Sequence, residues 1–317
     1  MEIFLLKIDS KNCPNKNLKV LESLPEKTAL TVGNFDGLHL GHKYLINELK
    51  KKAKEKGLKT AVLTFCPHPL RVLAPNLLLC ELSDINEKIE LFSKLGIDYL
   101  CFIRFDKDFA RIRAREFLEK VIYEKLGCRY LLVGYDWRYG YKREGEIELA
   151  KEVGKKLGFE VEEAKPFKVK GHIVSSTLVR RLLKEGRVEE VKEYLGHYYW
   201  IKRRVVKGDG RGSKIGFPTA NLQNTDKLCL KEGVYLVRVE DKHYGVANYG
   251  YRPTFGGKKR VLEVHLLDFS GNLRGKRIKV EFLKFLREEK KFESKEELVS
   301  QIKRDIEAAR SYLLKNK

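Results

Sequence analysis

The sequence predicts an α/β chain: an open parallel β-sheet with helices on both faces, then an antiparallel β-barrel or sandwich closed by one long helix. Two observations lead to this prediction. In the first half, near-continuous apolar runs alternate with segments of helical periodicity, which is the pattern of a parallel sheet buried on both faces. From about Tyr199, β-rich runs punctuated by Gly, Asp and Asn follow one another without intervening helices.

The first half contains apolar runs that we predict as strands and amphipathic segments that we predict as helices. The strands span residues 28–32, 60–65, 99–103, 130–133 and 159–161, and the helices span 43–56, 86–95, 115–126 and 146–157. The apolar run at residues 1–7 lacks a preceding basic region and a following cleavage site, so we interpret it as a further strand rather than a signal peptide. We therefore expect the protein in the cytoplasm.

The second half is predicted to be mostly strands. These span residues 201–206, 234–239, 244–248, 261–267 and 278–285, and a short helix at 188–196 links the two halves. The final helix begins at Ser294, which matches a capping box with Glu297, and its apolar residues recur every four positions. Because 317 residues exceed one typical domain, we predict two domains, residues 1–186 and 187–317.

Composition narrows the class of protein. No run of 18 or more apolar residues occurs, so no membrane-spanning helix is expected. The six cysteines lack the Cys-x-x-Cys spacing of zinc or redox sites, and we predict buried free thiols. The net charge of +21 suits nucleic-acid binding, a surface that attracts small polyphosphates, or a composition adapted to high temperature. Because most lysines lie among glutamates, we favour the latter two and expect no nucleic-acid partner.

A glycine-rich turn separates the predicted strand at 28–32 from the first helix. At the carboxyl edge of a parallel sheet such a turn lies where ligands bind, and the N–H groups that open a helix favour phosphate. Gly33, Gly37 and Gly41 allow the backbone to approach a ligand closely. Imidazole N–H groups of His39 and His42 can stabilise charge on a transferring phosphorus centre, although the histidines could also merely cap the helix. We favour transfer of an adenylyl or similar nucleotidyl group.

A second candidate segment begins a later helix. The hydroxyl and N–H groups of Ser175, Ser176 and Thr177 can bind phosphate oxygens, and Arg180 can add charge-assisted hydrogen bonds. The alternative is an ordinary helix N-cap followed by a surface arginine.

These motifs resemble those of the bacterial bifunctional riboflavin kinase/FMN adenylyltransferases, also called FAD synthetases, over almost the whole chain. The resemblance rests on His39-Leu40-Gly41-His42, on the Ser175-to-Arg180 motif, and on Thr-Phe-Cys-Pro-His-Pro at 64–69 and Gly-Tyr-Asp-Trp-Arg-Tyr-Gly at 134–140. It implies a Rossmann-like nucleotidyltransferase domain in which the FMN phosphate attacks the α-phosphorus of ATP, giving FAD and pyrophosphate.

The same resemblance implies roles for individual residues. His39 and His42 are implied to be catalytic, and His68, Asp136 and Arg138 to line the flavin site. Nucleotide contacts are implied for Gly33, Asn34, Phe35, Asp36, Gly41, Ser175, Ser176, Thr177 and Arg180.

A second glycine-rich loop occupies residues 207–216. It departs from the Walker pattern because Ser213 stands where the second glycine belongs, and alone it could be a flexible turn. The segment that follows, Gly-Phe-Pro-Thr-Ala-Asn at 216–221, resembles the riboflavin kinase motif of the same family. This resemblance implies a β-barrel kinase domain, with Mg²⁺ held by Thr219 and Asn221, whose hard oxygen atoms suit that ion. Contacts with ATP are implied for Gly208, Gly210, Gly216, Thr219 and Asn221.

A carboxylate on a later predicted strand completes the second set. Glu263 could be a solvated face residue, but the resemblance implies that it is the base for the riboflavin 5′-hydroxyl, and we favour it over His265. Asn248, Arg252 and Arg287 are implied to shape the flavin pocket.

The favoured hypothesis is an enzyme that converts riboflavin to FMN and then FMN to FAD, each step using ATP and Mg²⁺. Two other functions stay open at this stage. One is a nucleotidyltransferase for a different phosphate substrate with a flavin-binding regulatory domain. The other is a basic nucleic-acid-binding protein, which predicts tight and salt-sensitive binding.

Overall fold

The computed structural model describes residues 1–6, 19–77, 80–254 and 257–316, with their side chains except at positions 211, 252–254, 257 and 258. The chain divides into two compact units, Met1–Leu79 with Ser83–Ser175, and Cys80–Leu82 with Ser176–Lys317. The predicted domain boundary follows residue 186, whereas the helix that begins at Ser176 belongs by its contacts to the second unit.

The first unit is built on a seven-stranded sheet in which every neighbouring pair of strands is parallel. Its strands are β1 Glu2–Leu6, β2 Lys19–Leu21, β3 Thr28–Val32, β4 Lys59–Cys66, β5 Tyr99–Arg104, β6 Cys128–Gly134 and β7 Glu160–Ala164. They lie in the order β2-β1-β5-β4-β3-β6-β7. Since β4, β3 and β6 are neighbours, the loops after these three strands meet at one edge of the sheet, where ligands bind in such folds.

Helices cover both faces of this sheet. They are α1 Leu40–Lys56, α2 Pro69–Leu73, α3 Ile85–Ser93, α4 Ala114–Glu116, which continues as a π-helix over Phe117–Lys125, and α5 Ile147–Leu157. Leu30 and Val32 of β3 pack into a core with residues of the π-helix and α5. Ala29 and Thr31 are equally buried on the opposite side of the strand, and α1 contacts β3. The prediction of a parallel sheet covered on both faces is therefore confirmed. A small hairpin, β8 Lys168–Val169 and β9 His172–Ile173, stands apart from the sheet.

The second unit contains a closed barrel of antiparallel strands. The unit comprises α6 Ser176–Lys184, α7 Val188–Leu195, β10 Trp200–Val206, α8 Arg211–Lys214, β11 Ala220–Leu222, β12 Gly233–Val239, β13 His243–Thr254, β14 Gly257–Leu266, β15 Arg277–Arg287 and α9 Lys295–Lys315. The strand order is β10-β11-β14-β13-β12-β15, and β15 pairs back with β10. Of the two architectures that the β-rich pattern allowed, the barrel is the one that forms.

The closing helix α9 begins as predicted at Ser294, whose side chain accepts a hydrogen bond from the Glu297 N–H at 3.1 Å. The reciprocal bond of a capping box goes elsewhere, because Glu297 Oε2 accepts from the N–H of Glu293 at 3.2 Å. Ala309 of α9 shares a core cluster with Val246 of β13 and Leu283 of β15, and contacts with these two strands tie the helix to the barrel.

Candidate active sites

The turn from Gly33 to His42 connects β3 to α1 and has a constrained backbone. Phe35, Gly37 and Leu38 all have positive φ angles, of 45°, 77° and 41°. A positive φ is unfavourable for residues with side chains and persists where the surroundings impose it. Here the side chains of Phe35 and Leu38 are fully buried, so apolar packing holds the turn in its shape.

His39 and His42 lie together at the start of α1. His39 caps the helix, since its Nδ1 accepts a hydrogen bond from the backbone N–H of His42 at 3.2 Å. An accepting Nδ1 leaves the proton on Nε2, so His39 presents an N–H donor on its other side. The two imidazole rings stack, with centroids 3.5 Å apart and planes inclined by 14°. The capping role and the stacked pair coexist in one turn.

The environment of His42 keeps its imidazole neutral. Burial, and then the nearby His39 and Lys88, hold the pKa of His42 well below its usual range. The edge of the Phe35 ring contacts it, with centroids 5.0 Å apart. Among the described residues, the buried Nδ1 of His42 has no hydrogen-bond partner. A neutral imidazole still carries one N–H group, which can donate a hydrogen bond to a phosphate oxygen.

Gly41 lies where the turn passes closest to its surroundings. A Cβ atom at this position would lie 3.2 Å from His39 Nδ1 and 3.2 Å from the Val174 carbonyl oxygen. Any side chain here would therefore press on the ring of His39, which explains a glycine between the two histidines.

Asn34 combines a fixed backbone with an exposed side chain. Its carbonyl oxygen accepts hydrogen bonds from Thr64 Oγ1 at 3.2 Å and from Lys88 Nζ at 2.7 Å. The amide group of Asn34 therefore projects from an anchored point at the carboxyl edge of the sheet, where a bound nucleotide can meet it.

Asp36 is the buried carboxylate of the turn. Its Oδ1 accepts hydrogen bonds from the N–H of Ser83 at 3.0 Å and from the Ser83 hydroxyl at 3.3 Å. The same hydroxyl oxygen accepts from the N–H of Gly37 at 3.0 Å. These contacts join the turn to the segment before α3, and the predicted nucleotide contact of Asp36 stays a prediction.

The predicted flavin residues of the first unit follow the two strands beside β3. His68 follows β4; it is buried and caps α2, its Nδ1 accepting from the N–H of Leu70 at 3.2 Å. Asp136 and Arg138 follow β6 and are exposed, and Arg138 Nη2 lies 3.2 Å from Glu146 Oε1. The structure therefore brings the loops of Asn34, His68 and Asp136 to one edge of the sheet.

In the second unit, three barrel strands align the polar residues predicted for the kinase site. Glu263 on β14 is paired with Asn221 on β11 on one side and with Asn248 on β13 on the other. Directly opposed residues of neighbouring strands project from the same face of a sheet. The adjacent Leu262 and Val264 are buried on the other face. Asn221, Glu263 and Asn248 therefore form one polar row on the barrel.

Thr219 lies close to this row. Its hydroxyl oxygen is 3.5 Å from Glu263 Oε2. His265, the alternative base, is two residues along β14, and its Nδ1 is 2.9 Å from the Pro218 carbonyl oxygen. Glu263 is thus the ionisable group that the register places between the two asparagines.

The glycine-rich loop packs on the same row. A Cβ atom on Gly208 would lie 2.3 Å from Nδ2 of Asn221, so only glycine fits there without displacing the amide. Gly210 and Gly216 have φ angles of 70° and 86°, the left-handed region that favours glycine. The loop therefore has a shape that depends on its glycines.

Two predicted flavin residues of the barrel have contacts of their own. Arg287 forms a two-pronged ion pair with Asp305 of α9, with Nε–Oδ1 and Nη2–Oδ2 distances of 2.8 and 2.7 Å. The Asn248 side chain hydrogen-bonds to Glu289, whose pKa is raised by burial and by Glu232. The side chain of Arg252 lies outside the described part of the chain.

Comparison with known proteins decides the family. A model of the FAD synthetase family matches residues 21–178, and a model of the riboflavin kinase family matches residues 195–313. The bifunctional riboflavin kinase/FMN adenylyltransferase of Escherichia coli strain K12 is 38% identical over 291 residues, which cover 90% of this chain and 93% of that protein. The chain belongs to the bifunctional riboflavin kinase/FMN adenylyltransferase family.

Other members and one solved structure agree in extent. The bifunctional riboflavin kinase/FMN adenylyltransferase of Listeria monocytogenes is 36% identical over 293 residues, covering 90% of this chain and 92% of its own length. A crystal structure described as a macrolide-efflux protein from Streptococcus pneumoniae has a TM-score of 0.81 and 30% identity, over 91% of this chain and 95% of that one. In the described part of the present chain, no helix is both long enough and apolar enough to cross a bilayer.

The predicted helix-start motif of this family member opens α6. Ser176 and Thr177 form its first turn, and Ser175 directly precedes it. Arg180 Nε donates a hydrogen bond to the carbonyl oxygen of Cys80 at 3.0 Å. Val179, Leu182 and Leu183 are buried and anchor the helix within its unit. The nucleotide contacts of this motif stay predictions.

The prediction that the cysteines are free thiols is wrong for two of them. Cys80 and Cys229 form a disulfide, which joins residues 149 positions apart and has no spacing signature in the sequence. Cys66, Cys101 and Cys128 keep their thiols outside any disulfide, and burial raises the pKa of the Cys101 thiol to about 12. Cys13 lies outside the described residues.

Sequence reasoning missed two polar residues behind the turn, Ser83 and Lys88. The available signal was the capping box that opens α3. Asp84 Oδ1 accepts from the N–H of Glu87 at 2.9 Å, and Glu87 Oε2 accepts from the N–H of Asp84 at 2.7 Å. A helix start at this point places Ser83 before the helix and Lys88 in its first turns. Their meeting with Gly37 and Asn34 depends on the tertiary fold.

Proposed function

We propose that this protein makes FAD from riboflavin in two ATP-dependent reactions. Residues 187–317 phosphorylate riboflavin to FMN, and residues 1–186 adenylylate FMN to FAD with release of pyrophosphate. The observation that carries this proposal is that each of the two matched family segments contains its own polar cluster suited to its reaction: the polar row around Glu263 and the turn with the stacked histidines.

Riboflavin phosphorylation is assigned to the polar row of the barrel. The Glu263 carboxylate accepts the proton of the 5′-hydroxyl while the hydroxyl oxygen attacks the γ-phosphorus of ATP. The bond from that phosphorus to the bridging oxygen breaks, and ADP leaves. The N–H groups of the loop containing Gly208, Gly210 and Gly216 are the proposed partners of the ATP phosphates, as backbone N–H groups of glycine-rich loops are in other phosphate sites.

The residues of the row also fit Mg²⁺. Among the described residues, no cluster of His, Cys, Asp or Glu side chains could hold a metal ion by itself. Mg²⁺ instead takes a few protein oxygens together with nucleotide phosphates, and the Thr219 hydroxyl and the Asn221 amide oxygen are such donors beside Glu263. When bound, the ion neutralises charge on the transferred phosphoryl group.

FMN adenylylation is assigned to the turn between β3 and α1. A phosphate oxygen of FMN attacks the α-phosphorus of ATP, the bond to the bridging oxygen breaks, and pyrophosphate leaves. The Nε2–H of His39 and the neutral imidazole of His42 are the proposed stabilisers of charge at the α-phosphate and the leaving group. The exposed amide of Asn34 and the N–H groups of Leu40 and Gly41, which open α1, are the proposed phosphate partners.

Several finer assignments belong to the same proposal. Nucleotide contacts are proposed for Gly33, Phe35, Asp36, Gly41, Ser175, Ser176, Thr177 and Arg180, and flavin contacts for His68, Asp136, Arg138, Asn248, Arg252 and Arg287. We propose a cytoplasmic enzyme whose partners are riboflavin, FMN and ATP and not nucleic acid. The intermixed lysines and glutamates support the last point, since ion pairs such as Lys51–Glu48 at 2.6 Å offset part of the basic surface.

The experiment that tests the proposed function separates the two reactions. The purified protein is incubated with riboflavin, ATP and Mg²⁺, and in parallel with FMN, ATP and Mg²⁺, and flavins are resolved by chromatography. We expect FMN and FAD from the first mixture, and FAD with pyrophosphate from the second. Absence of both products, or turnover of cytidine triphosphate with another acceptor instead, would overturn the proposal.

A further inference from the structure

Lys88 is a lysine in an unusual place. It lies on α3 with 6% of its surface exposed, although lysine is among the residues least often buried. A buried ammonium group is unfavourable unless its hydrogens are bonded. Its Nζ donates a hydrogen bond of 2.7 Å to the carbonyl oxygen of Asn34, inside the turn proposed to bind ATP. A lysine that served only to keep the protein soluble would be exposed, so its burial indicates another role.

Two sets of contacts fix the position of Lys88, one within α3 and one between the start of α3 and the turn. On its own helix, the capping box of Asp84 and Glu87 fixes the first turn of α3. One residue earlier, Ser83 is hydrogen-bonded to Asp36 and Gly37 of the catalytic turn. The start of α3 is therefore joined to the turn at one point, and Lys88 contacts the same turn at a second.

At that second point, two side chains hold one carbonyl group. Thr64 Oγ1, on β4, donates to the same Asn34 oxygen at 3.2 Å. Donors from β4 and α3 thus orient the peptide that precedes Phe35, the residue with the first positive φ of the turn. Rotating this peptide would move the exposed side-chain amide of Asn34. It would also change the course of the backbone between Asn34 and His39.

Lys88 also carries charge near the reacting groups. It is close enough to His42 to contribute to the low pKa of that imidazole, together with burial and His39. In a poorly solvated site a fixed cation acts over several ångströms with little screening. The positive charge of Lys88 therefore helps to keep the buried His42 imidazole neutral.

We infer that Lys88 is a positioning residue for FMN adenylylation: its buried ammonium group fixes the Asn34 peptide and so holds the Asn34 amide and the histidine turn in the geometry for transfer. This inference rests on the proposed adenylyltransferase function of the turn. In this inference Lys88 acts on adenylyl transfer through Asn34, to which its ammonium group donates.

The test compares three substitutions that separate charge from hydrogen bonding. Lys88→Arg keeps both, Lys88→Gln keeps a donor without charge, and Lys88→Met keeps most of the apolar length of the side chain without either. Lys94→Met, at the exposed end of the same helix, is the matched control. FAD formation from FMN is measured as kcat and as KM for ATP, and riboflavin phosphorylation is measured in the same preparations.

We expect Lys88→Met to lower kcat for FAD formation by about 100-fold, the order expected when reacting groups are displaced by about 1 Å. The KM for ATP should change by less than about threefold, because the Asn34 amide is misplaced rather than removed. Lys88→Gln should be intermediate, Lys88→Arg should restore most of the activity, and Lys94→Met should equal the unsubstituted protein. Riboflavin phosphorylation should be unchanged in all four variants.

Three results would overturn the inference. Lys88→Met could retain FAD formation within about twofold, its loss could lie wholly in the KM for ATP, or Lys88→Arg could be as defective as Lys88→Met. Should Lys88→Met fail to fold, the Arg and Gln variants decide by the same order of activities. The unsubstituted protein separates a failure of the proposed function from a failure of this inference. If it makes no FAD from FMN, the proposed adenylyltransferase function fails. If it makes FAD and Lys88→Met makes it equally fast, only the role of Lys88 fails.

Discussion

The imidazole rings of His39 and His42 stack with their centroids 3.5 Å apart, and His39 Nδ1 accepts a hydrogen bond from the backbone N–H of His42. The ring of His39 is therefore part of the environment that sets the pKa of His42. Burial is the largest cause of the lowered pKa of His42, and the nearby His39 and Lys88 lower it further.

A lowered pKa of His42 predicts that the protein loses stability on acidification. The unfolded chain binds a proton at His42 near pH 6.5, and the folded protein does so only well below that pH. The free energy of unfolding therefore falls as the pH drops below 6.5 and levels off once the folded-state pKa is passed. Urea unfolding above and below this pH should show a smaller decline for His42→Phe than for the unsubstituted protein. Parallel pH dependences would contradict the prediction.

Replacing His42 should separate the two activities of the chain. We expect His42→Ala to lower FAD formation from FMN by about 100-fold, the order seen when one stabilising donor is lost from a transition state. Riboflavin phosphorylation, measured in the same preparation, should be unchanged and reports that the barrel is folded. Equal loss of both activities would mean that His42 serves stability rather than transfer.

The strands that were predicted correctly have a local hydrophobic pattern that matches their burial. Strands β3 and β6 are buried along most of their length, and β14 alternates buried and half-buried residues. In such strands the polarity of each residue indicates whether its side chain is buried. Strands β2 and β11 have three residues each, too few for a periodic pattern to appear. The helix expected at 115–126 forms, but Leu126 N–H bonds to the Val121 carbonyl five residues back, a π-helical spacing that the apolar pattern does not encode.

The candidate sites divide in the same way. Gly33 to His42 could be found because all the groups lie in one turn, and Asn221, Glu263 and Asn248 could be found through the family resemblance. The contacts of Asp36 with Ser83 and of Asn34 with Lys88 join residues 47 and 54 positions apart, and the sequence has no local signature of either contact. The disulfide of Cys80 and Cys229 is hidden for the same reason.

Glu263 should be separable from its neighbour on the same strand. Glu263→Gln keeps the size of the side chain but removes the base, so FMN formation should fall by at least about 100-fold. FAD formation from added FMN should be unchanged. His265→Gln is the matched control, and because its Nδ1 faces the Pro218 carbonyl we expect a much smaller effect. A larger loss in His265→Gln would reverse the assignment of the base.

The close approach of Gly208 to Asn221 predicts a specific effect of one methyl group. In Gly208→Ala the new Cβ would lie 2.3 Å from Asn221 Nδ2, so the Asn221 amide must move away from its place opposite Glu263. We expect riboflavin phosphorylation to fall by about tenfold or more, which corresponds to about 1.4 kcal/mol in the barrier. FAD formation from FMN is the internal control. Unchanged kinetics would show that the loop and the amide move without consequence for catalysis.

The ion pair between Arg287 and Asp305 allows the predicted flavin role of Arg287 to be tested against a structural one. Asp305 is buried and also accepts a hydrogen bond from Gln301 at 2.9 Å, so removal of either charged partner leaves the other uncompensated. Asp305→Ala and Arg287→Met should each lower the free energy of unfolding by about 3 kcal/mol. Glu189→Gln, which breaks the more exposed pair with Lys284, should cost at most about 1 kcal/mol.

Kinetics then separate the two roles of Arg287. If its guanidinium group contacts the flavin as well as Asp305, the KM for riboflavin should rise in Arg287→Met well beyond its change in Asp305→Ala, since only the first variant removes the flavin contact. Steady-state phosphorylation at saturating ATP measures this difference, and urea unfolding monitored by circular dichroism shows that both variants are folded under assay conditions. Equal values of KM in the two variants would restrict Arg287 to holding α9 on the barrel.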